Sequence, residues 1–394
     1  MPEGLFDVSV PNRQAKISVE LDDAGFSTDV ETEDLGERID SPFDPDLIEV
    51  QTRNPTVALL LNRIRRNTID LAPDFQRRAG IWTQKAQSRL IESLLLRITL
   101  PTLYAAESDD DTWAVVDGVQ RLSTIARFVA PETIDAEPLR LTGLEYLAEY
   151  NGYTFDDLPG RLQTRIEETE LVVLLIRRGT PEEVKFNIFA RINTGGRPLT
   201  RQELRHALIP GEARHFLAAL ARSDAFQMAT AQSVSAERMS DREMCLRFLA
   251  FSLTSPDDYT GQDFDGFLRE AMHSLNRRSD DELGELWATF RGAMYASAAV
   301  FGQHAFRKRF RDYTRRSPVN KALFESQSVT LSRYSKDQVR TLSSRNAQVE
   351  EGFLRLMENS DFFNAVSAGT GDAGKVKLRF RMLDEMFQEV LKDA

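Results

Sequence analysis

The sequence predicts an α+β first half followed by an all-helical second half. Two observations carry this. Short apolar runs of strand character, at 103–105, 113–116 and 171–176, alternate with longer stretches whose apolar residues recur every three or four positions. From about residue 207 the helical recurrence continues nearly to the end, without strand-type alternation of Val, Ile and Leu. Charge separates a further region. Residues 1–50 hold fourteen acids and three bases, and the remainder is balanced at 47 of each. The expected organisation is therefore an acidic, flexible or loosely docked arm over 1–45, an α+β domain over 46–206 and a helical domain over 207–394.

Composition narrows the class. At 41% hydrophobic and 28% charged, the 394-residue chain has the composition of a soluble globular protein. No run is apolar and long enough to span a membrane, and the acidic N-terminus does not read as a signal peptide. A single cysteine, Cys245, excludes a disulfide framework and a zinc cluster. The expected location is cytoplasmic.

Taken in order, Asn54-Pro55 opens a helix with Val57, Leu60, Leu61 and Ile64 on one face. Thr83 caps a second helix whose inner face is Leu90, Ile91, Leu94, Leu95 and Ile98, stopping at Pro101. Residues 103–105 and the Trp113 strand flank the acidic turn Ser108-Asp109-Asp110-Asp111 as a hairpin. Tyr150-Asn151-Gly152-Tyr153 is a turn, and 171–176 is a buried strand. Pro181-Glu182-Glu183 opens a helix, with acids at its positive dipole end and Val184, Ile188, Phe189 and Ile192 on its apolar face. Thr200 and Glu203 form a capping box for the next helix. Further helices are expected near 212–222, 240–253, 261–276, 281–300, 318–333, 346–359 and 376–392.

Three polar segments mark element ends in the first half: Phe75-Gln76-Arg77-Arg78, Asp117-Gly118-Val119-Gln120-Arg121 and Asn193-Thr194-Gly195-Gly196-Arg197-Pro198. Each joins an amide to an arginine, and the last two add glycine. A guanidinium fork fits phosphate oxygens, and glycine lets backbone amides approach them. A carboxylate at a strand-to-helix corner can hold Mg²⁺ or orient water. The structural reading is equally concrete. Asp117 and Gln120 form a capping-box pattern, and Gly195-Gly196 reads as a helix C-cap.

The segments P-D-F-Q-R-R-x-x-I-W, L-I-E-S-L-L-L-R-I-x-L-P, V-V-D-G-V-Q-R-L-S-T, F-A-R-I-N-T-G-G-R-P-L-T-R-Q-E-L-R and R-R-S-P-V-N-K-A-L-F-E occur in that order. In this the chain resembles the DGQQR-motif family of ParB/sulfiredoxin-like domains. That family includes the GmrS half of the GmrSD modification-dependent restriction system and the N-terminal half of the SspE phage-defence protein. The resemblance covers about residues 45–390. It implies a ParB/sulfiredoxin-like N-terminal domain followed by helices, and binding or hydrolysis of a nucleoside triphosphate, coupled in some members to sensing modified DNA. Carried over by position, D-G-Q-Q-R falls on Asp117, Gly118, Val119, Gln120 and Arg121, with Val119 replacing the first glutamine. The other two motifs fall on Phe75, Gln76 and Arg77, and on Asn193, Thr194, Gly195 and Gly196.

The resulting expectation is an NTPase or NTP-gated sensor subunit in bacterial defence against foreign or modified DNA. Asp117 binds Mg²⁺ or positions water and Gln120 orients it. Arg77 and Arg121 hold phosphates beside Gln76 and Gly118. Gly195 and Gly196 offer backbone amides, and Asn193 and Thr194 shape that loop. The four histidines, His206, His215, His273 and His304, form no His-Asn-His arrangement, and His206 and His215 read as helix-surface residues. A separate nuclease effector is therefore an expected partner, with nucleotide, DNA and a second copy of the chain. The alternative is a non-enzymatic DNA-binding or adaptor protein. In it the Asp117 corner is structural, or binds nucleotide without cleaving it.

A second expectation concerns Arg307-Lys308-Arg309-Phe310-Arg311-Asp312-Tyr313-Thr314-Arg315-Arg316. Phe306, Phe310 and Tyr313 fall at helical spacing, so a helix would bury the aromatics and expose the bases. Arg307, Lys308, Arg311, Arg315 and Arg316 are then candidate DNA-phosphate contacts, with a solvated basic face as the other reading.

Overall fold

The computed structural model describes residues 5–10, 13–21, 25, 27–35, 47–71, 82–108, 110–192, 199–261, 263–311 and 315–392. It divides into two compact units: Ser41–Leu208, and Met1–Asp40 together with Ile209–Ala394. The described strands are β1 Leu5–Val10, β2 Arg13–Leu21, β3 Ser27–Glu31, β4 Val50–Arg53, β5 Ile69–Asp70, β6 Leu103–Glu107, β7 Trp113–Asp117 and β8 Val173–Ile176.

The unit over 41–208 is α+β, as expected. Its mixed sheet has the order β4-β8-β6-β7-β5. β6 and β7 form the expected hairpin, β8 lies parallel to β6, and β5 lies parallel to β7. β6, β7 and β8 are interior strands, which is why their sequences are nearly continuous apolar runs. The helices begin where the sequence places caps. Thr56 accepts from Leu59 N ahead of Val57–Arg65, and Thr83 accepts from Ala86 N ahead of Gln84–Leu95. Val57, Leu60, Leu61, Ile64, Leu90, Ile91, Leu94 and Leu95 are buried in one core with Val115, Leu122, Ile125 and Leu175. Ile98 is a correction: the helix ends at Leu95, and Ile98 lies past it, 53% exposed. The Thr200 capping box forms with both bonds, Glu203 N to Thr200 Oγ1 at 3.1 Å and Thr200 N to Glu203 Oε2 at 2.6 Å.

The other unit is mainly helical. Expected helices are present at Glu212–Arg222, Ser240–Leu253, Phe264–Asn276, Asp280–Phe301, Lys321–Ser332, Asn346–Glu358 and Ala373–Lys392. Three shorter ones, Asp224–Ala229, Lys336–Ser344 and Ser360–Ala365, add to them. Cys245 is buried in the core.

The acidic N-terminal stretch differs from the flexible or loosely docked arm expected. It contributes an antiparallel sheet of order β1-β2-β3, and its carboxylates serve as buried counter-ions. Arg247, 1% exposed at its side chain, donates to Glu33 at 2.9 Å, to Glu243 at 2.8 Å and to Glu325 at 3.4 Å. Lys321 donates to Glu20 at 2.7 Å, and Arg379 is paired with the fully buried Glu325. Lys308 donates to Glu31 at 2.6 Å, and Asn320 donates to the other oxygen of Glu31 at 3.0 Å. Buried charges of this kind must be paired, since an isolated one would change protonation or unfold its surroundings.

Candidate functional site

The Asp117 corner is built by the end of β7 and the start of helix Val119–Val129. Gly118 separates them in the left-handed conformation, at φ +95°. A Cβ there would stand 2.1 Å from Leu103 Cδ2, so the corner needs glycine for both conformation and space. The capping-box reading of Asp117 and Gln120 is corrected. Gly118 is the N-cap and no side chain caps the helix; Asp117 is the last strand residue.

Asp117 Oδ2 accepts from Arg121 Nη2 at 3.1 Å, one helical turn along. Arg121 Nη2 also donates to Thr102 O at 3.2 Å, and Nη1 donates to Pro101 O. The guanidinium therefore ties the helix to the turn entering β6. Burial pulls Arg121 below its ordinary pKa, against the opposing charge of Asp117. Asp117 retains side-chain exposure of 36%. Val119 is core, and Gln120 is half-buried. Ser123 and Thr124 donate back to the carbonyls of Val119 and Gln120, at 2.6 and 2.7 Å. Three of the five guanidinium N–H groups of Arg121 are thus engaged within the corner.

The Phe75-Gln76-Arg77 segment and the Asn193-Thr194-Gly195-Gly196 segment lie outside the described residues. Their flanks are informative. The chain runs through β5 parallel to β7, toward the end where Asp117 sits. Helix Arg201–Leu208 packs on β7. One flank of each segment thus lies on the β7 side of the sheet, whereas Gln87, in the first turn of helix Gln84–Leu95, accepts from Arg127 at 2.8 Å near the far end of helix Val119–Val129. One carboxylate is compatible with Mg²⁺, which is commonly held by one or two carboxylates plus phosphate oxygens and water. Among the described residues, no group of three His, Cys, Asp or Glu side chains is arranged to hold a metal by itself.

The structure also shows what sequence reasoning did not assign. Glu92, in the L-I-E-S segment, is 3% exposed and accepts from the backbone N–H groups of Glu145, Tyr146 and Leu147 at 3.0, 2.7 and 2.9 Å. Burial alone would raise its pKa, but these three donors hold it below the usual value. Its place mid-helix in an apolar stretch was the available signal. His215 is exposed as expected, whereas His206 is corrected to a buried residue, 2% exposed.

The basic segment is corrected as well. It does not form the expected helix: after the short helical turn Gly302–His304 the chain is irregular, with an isolated bridge between Arg307 and Val319. Phe306 and Phe310 are buried, and Tyr313 lies outside the described residues. Arg307 and Lys308 are 0% and 2% exposed and are not available to DNA. Arg307 bonds Asp29 at 2.9 Å, and Arg311 bonds Glu351 at 2.7 Å and Glu358 at 2.5 Å. Arg316 lies 3.6 Å from Asp29. Arg315 is exposed and has no carboxylate partner among the described residues. Acids from β3 and helix Asn346–Glu358 neutralise most of this charge, which spacing along the segment could not reveal.

Residues 57–210 match the model of a family described as the GmrSD restriction endonuclease, N-terminal domain. No curated protein and no solved structure matches the chain. Among the described residues, no helix is long and apolar enough to cross a membrane.

Proposed function

From the premise that residues 57–210 form a domain of the GmrSD N-terminal family, we propose that the chain is a nucleotide-gated sensor subunit in restriction-type defence against DNA. The nucleotide binds at the Asp117 corner, and a separate nuclease acts as effector. The observation that carries this reading is the Asp117–Arg121 pair, held by the carbonyls of Pro101 and Thr102 at a glycine-built strand-to-helix corner. Asp117 contributes a carboxylate to a Mg²⁺–phosphate complex. Arg121 fixes the orientation of Asp117. Backbone amides of the glycine segment 193–198 and the Gln76-Arg77 pair complete the phosphate contacts. Binding, rather than rapid turnover, is the expected output, because Val119 stands where an amide would help orient water and its side chain belongs to the core.

Calorimetric titration of the intact chain with GTP, ATP and CTP, each with Mg²⁺, tests this. At least one should bind, and Asp117→Asn should weaken it by about tenfold or more, about 1.4 kcal/mol. Phosphate release should stay near background. Absence of binding by all three to the unaltered chain would sink the reading.

A second reading, a purely structural corner in an adaptor protein, is favoured by the internal bonding of Arg121. It predicts that Asp117→Asn lowers the melting temperature while nucleotide binding is absent in both proteins.

A further inference from the structure

Two edges bound the mixed sheet of the 41–208 unit, and only one is long enough to pair. β5 has two residues. β4 has four, Val50-Gln51-Thr52-Arg53, all exposed, with β8 on one side and no strand on the other among the described residues.

The bonding on the inner side fixes what the outer side offers. Arg177 N donates to Glu49 O at 2.8 Å, and Leu171 N donates to Pro55 O at 3.0 Å. Residues that bond one neighbour alternate in an antiparallel ladder, so Gln51 and Arg53 also face β8. Val50 and Thr52 therefore turn their N–H and C=O groups outward, and among the described residues no strand meets them there. An exposed row of this kind is a template for a further strand.

The side chains say which strand. The sequence Glu49-Val50-Gln51-Thr52-Arg53 is complementary to its own reverse. Two copies laid antiparallel about Gln51 pair Val50 of each with Thr52 of the other. Both are outward-facing residues, so each pairing exchanges two backbone hydrogen bonds. The same register sets Glu49 opposite Arg53 twice, with Cβ atoms about 4.5–5.5 Å apart, close enough for ion pairing. Both groups are available for it. Arg53 is exposed and pairs with no carboxylate among the described residues. Glu49 is 68% exposed at its side chain and approaches Arg177 only loosely, at 3.9 Å. Val50, 47% exposed, meets Thr52, and β-branched side chains suit such a surface. Sliding one strand by two residues in either direction would separate both arginines from the glutamates.

We propose that β4 pairs with β4 of a second copy of the chain about a two-fold axis at Gln51, joining two five-stranded sheets into one. The contact is separate from the Asp117 corner and needs no nucleotide.

The experiment is sedimentation velocity of the intact chain over a concentration series, without nucleotide. A monomer–dimer equilibrium is expected. Thr52→Pro removes an outward N–H and leaves the β4–β8 bonds in place, so it should weaken dimerisation by about tenfold or more. Glu49→Arg and Arg53→Glu each set like charges opposite one another in a homodimer, and each alone should weaken it by about tenfold or more. An equimolar mixture of these two variants should recover the dimer, because every 49–53 contact between them joins opposite charges. Recovery also shows that both variants fold. The proposal is overturned if the chain is monomeric throughout the series, if Thr52→Pro dimerises as tightly as the unaltered chain, or if the mixture associates no better than the single variants.

Discussion

At the scale of single residues, Gly118 and Glu92 show how little freedom the corner and its supporting helix allow. Gly118→Ala places a methyl group against Leu103 in a left-handed backbone. Left-handed strain and overpacking together should cost roughly 2–4 kcal/mol, read as a fall in thermal midpoint with the nucleotide absent. Glu92→Gln should lose roughly 2–4 kcal/mol, because the charge that accepts three backbone N–H groups disappears. Glu92 also gives a pH signature. Its folded pKa is depressed, so its stabilisation is complete above the unfolded carboxylate value of about 4.3 and is lost as pH falls below that. The wild-type melting temperature should therefore drop more steeply below about pH 4.3 than that of Glu92→Gln. The sequence showed the location of Glu92 but not its task, because its partners lie more than fifty positions away and are backbone groups, which leave no trace in side-chain pattern.

Elements whose determinants are local were legible. Thr56, Thr83 and Thr200 start helices through bonds made within three residues. The interior strands show as apolar runs because both faces are covered. The element around Arg307 was illegible, since its conformation depends on Asp29, Glu31 and helix Asn346–Glu358 rather than on its own aromatic spacing. Helix Lys321–Ser332 presents the same problem: Lys321 and Glu325, polar by type, are both buried in the ion network. Replacing Arg247 by Ala removes the cation paired with Glu33 and one of the two cations paired with each of Glu243 and Glu325, and should cost about 3–5 kcal/mol, measured by thermal or denaturant unfolding. Within this network Glu33 and Glu325 shift in opposite directions. Burial raises Glu325, whereas Arg247 overcomes burial and holds Glu33 low. Glu33 stabilises at neutral pH and loses its contribution in acid, while Glu325 contributes most when protonated and loses that contribution as pH rises through its folded pKa.

For the molecule as a whole, the charge inventory was right in number and incomplete in meaning. The excess acid resides in the first fifty residues, but part of it is consumed internally by cations encoded beyond residue 240. Salt-sensitive DNA binding through Arg307, Lys308 and Arg311 is consequently not expected. Arg311→Ala should change affinity for a DNA duplex by less than about twofold across a salt series, whereas a true phosphate contact would lower the salt slope by about one. The family match over 57–210 covers the unit in which the Asp117 corner sits, so nucleotide binding and DNA recognition can be tested in the same intact chain.

The discontinuity of the larger unit has a consequence for how the protein is made. Residues 1–40 are synthesised before residues 209–394, so Glu33 must wait for Arg247, and Glu20 for Lys321. Domains generally fold in order as the ribosome delivers them. Here the inserted unit, 41–208, is delivered whole before the surrounding one has its counter-ions. The nascent chain therefore carries unneutralised carboxylates such as Glu20 and Glu33 when residues 41–208 have already been made. That unit depends on contacts of very long sequence separation, the kind that fold slowly, and its Arg379–Glu325 pair can form only once helix Ala373–Lys392 has been made.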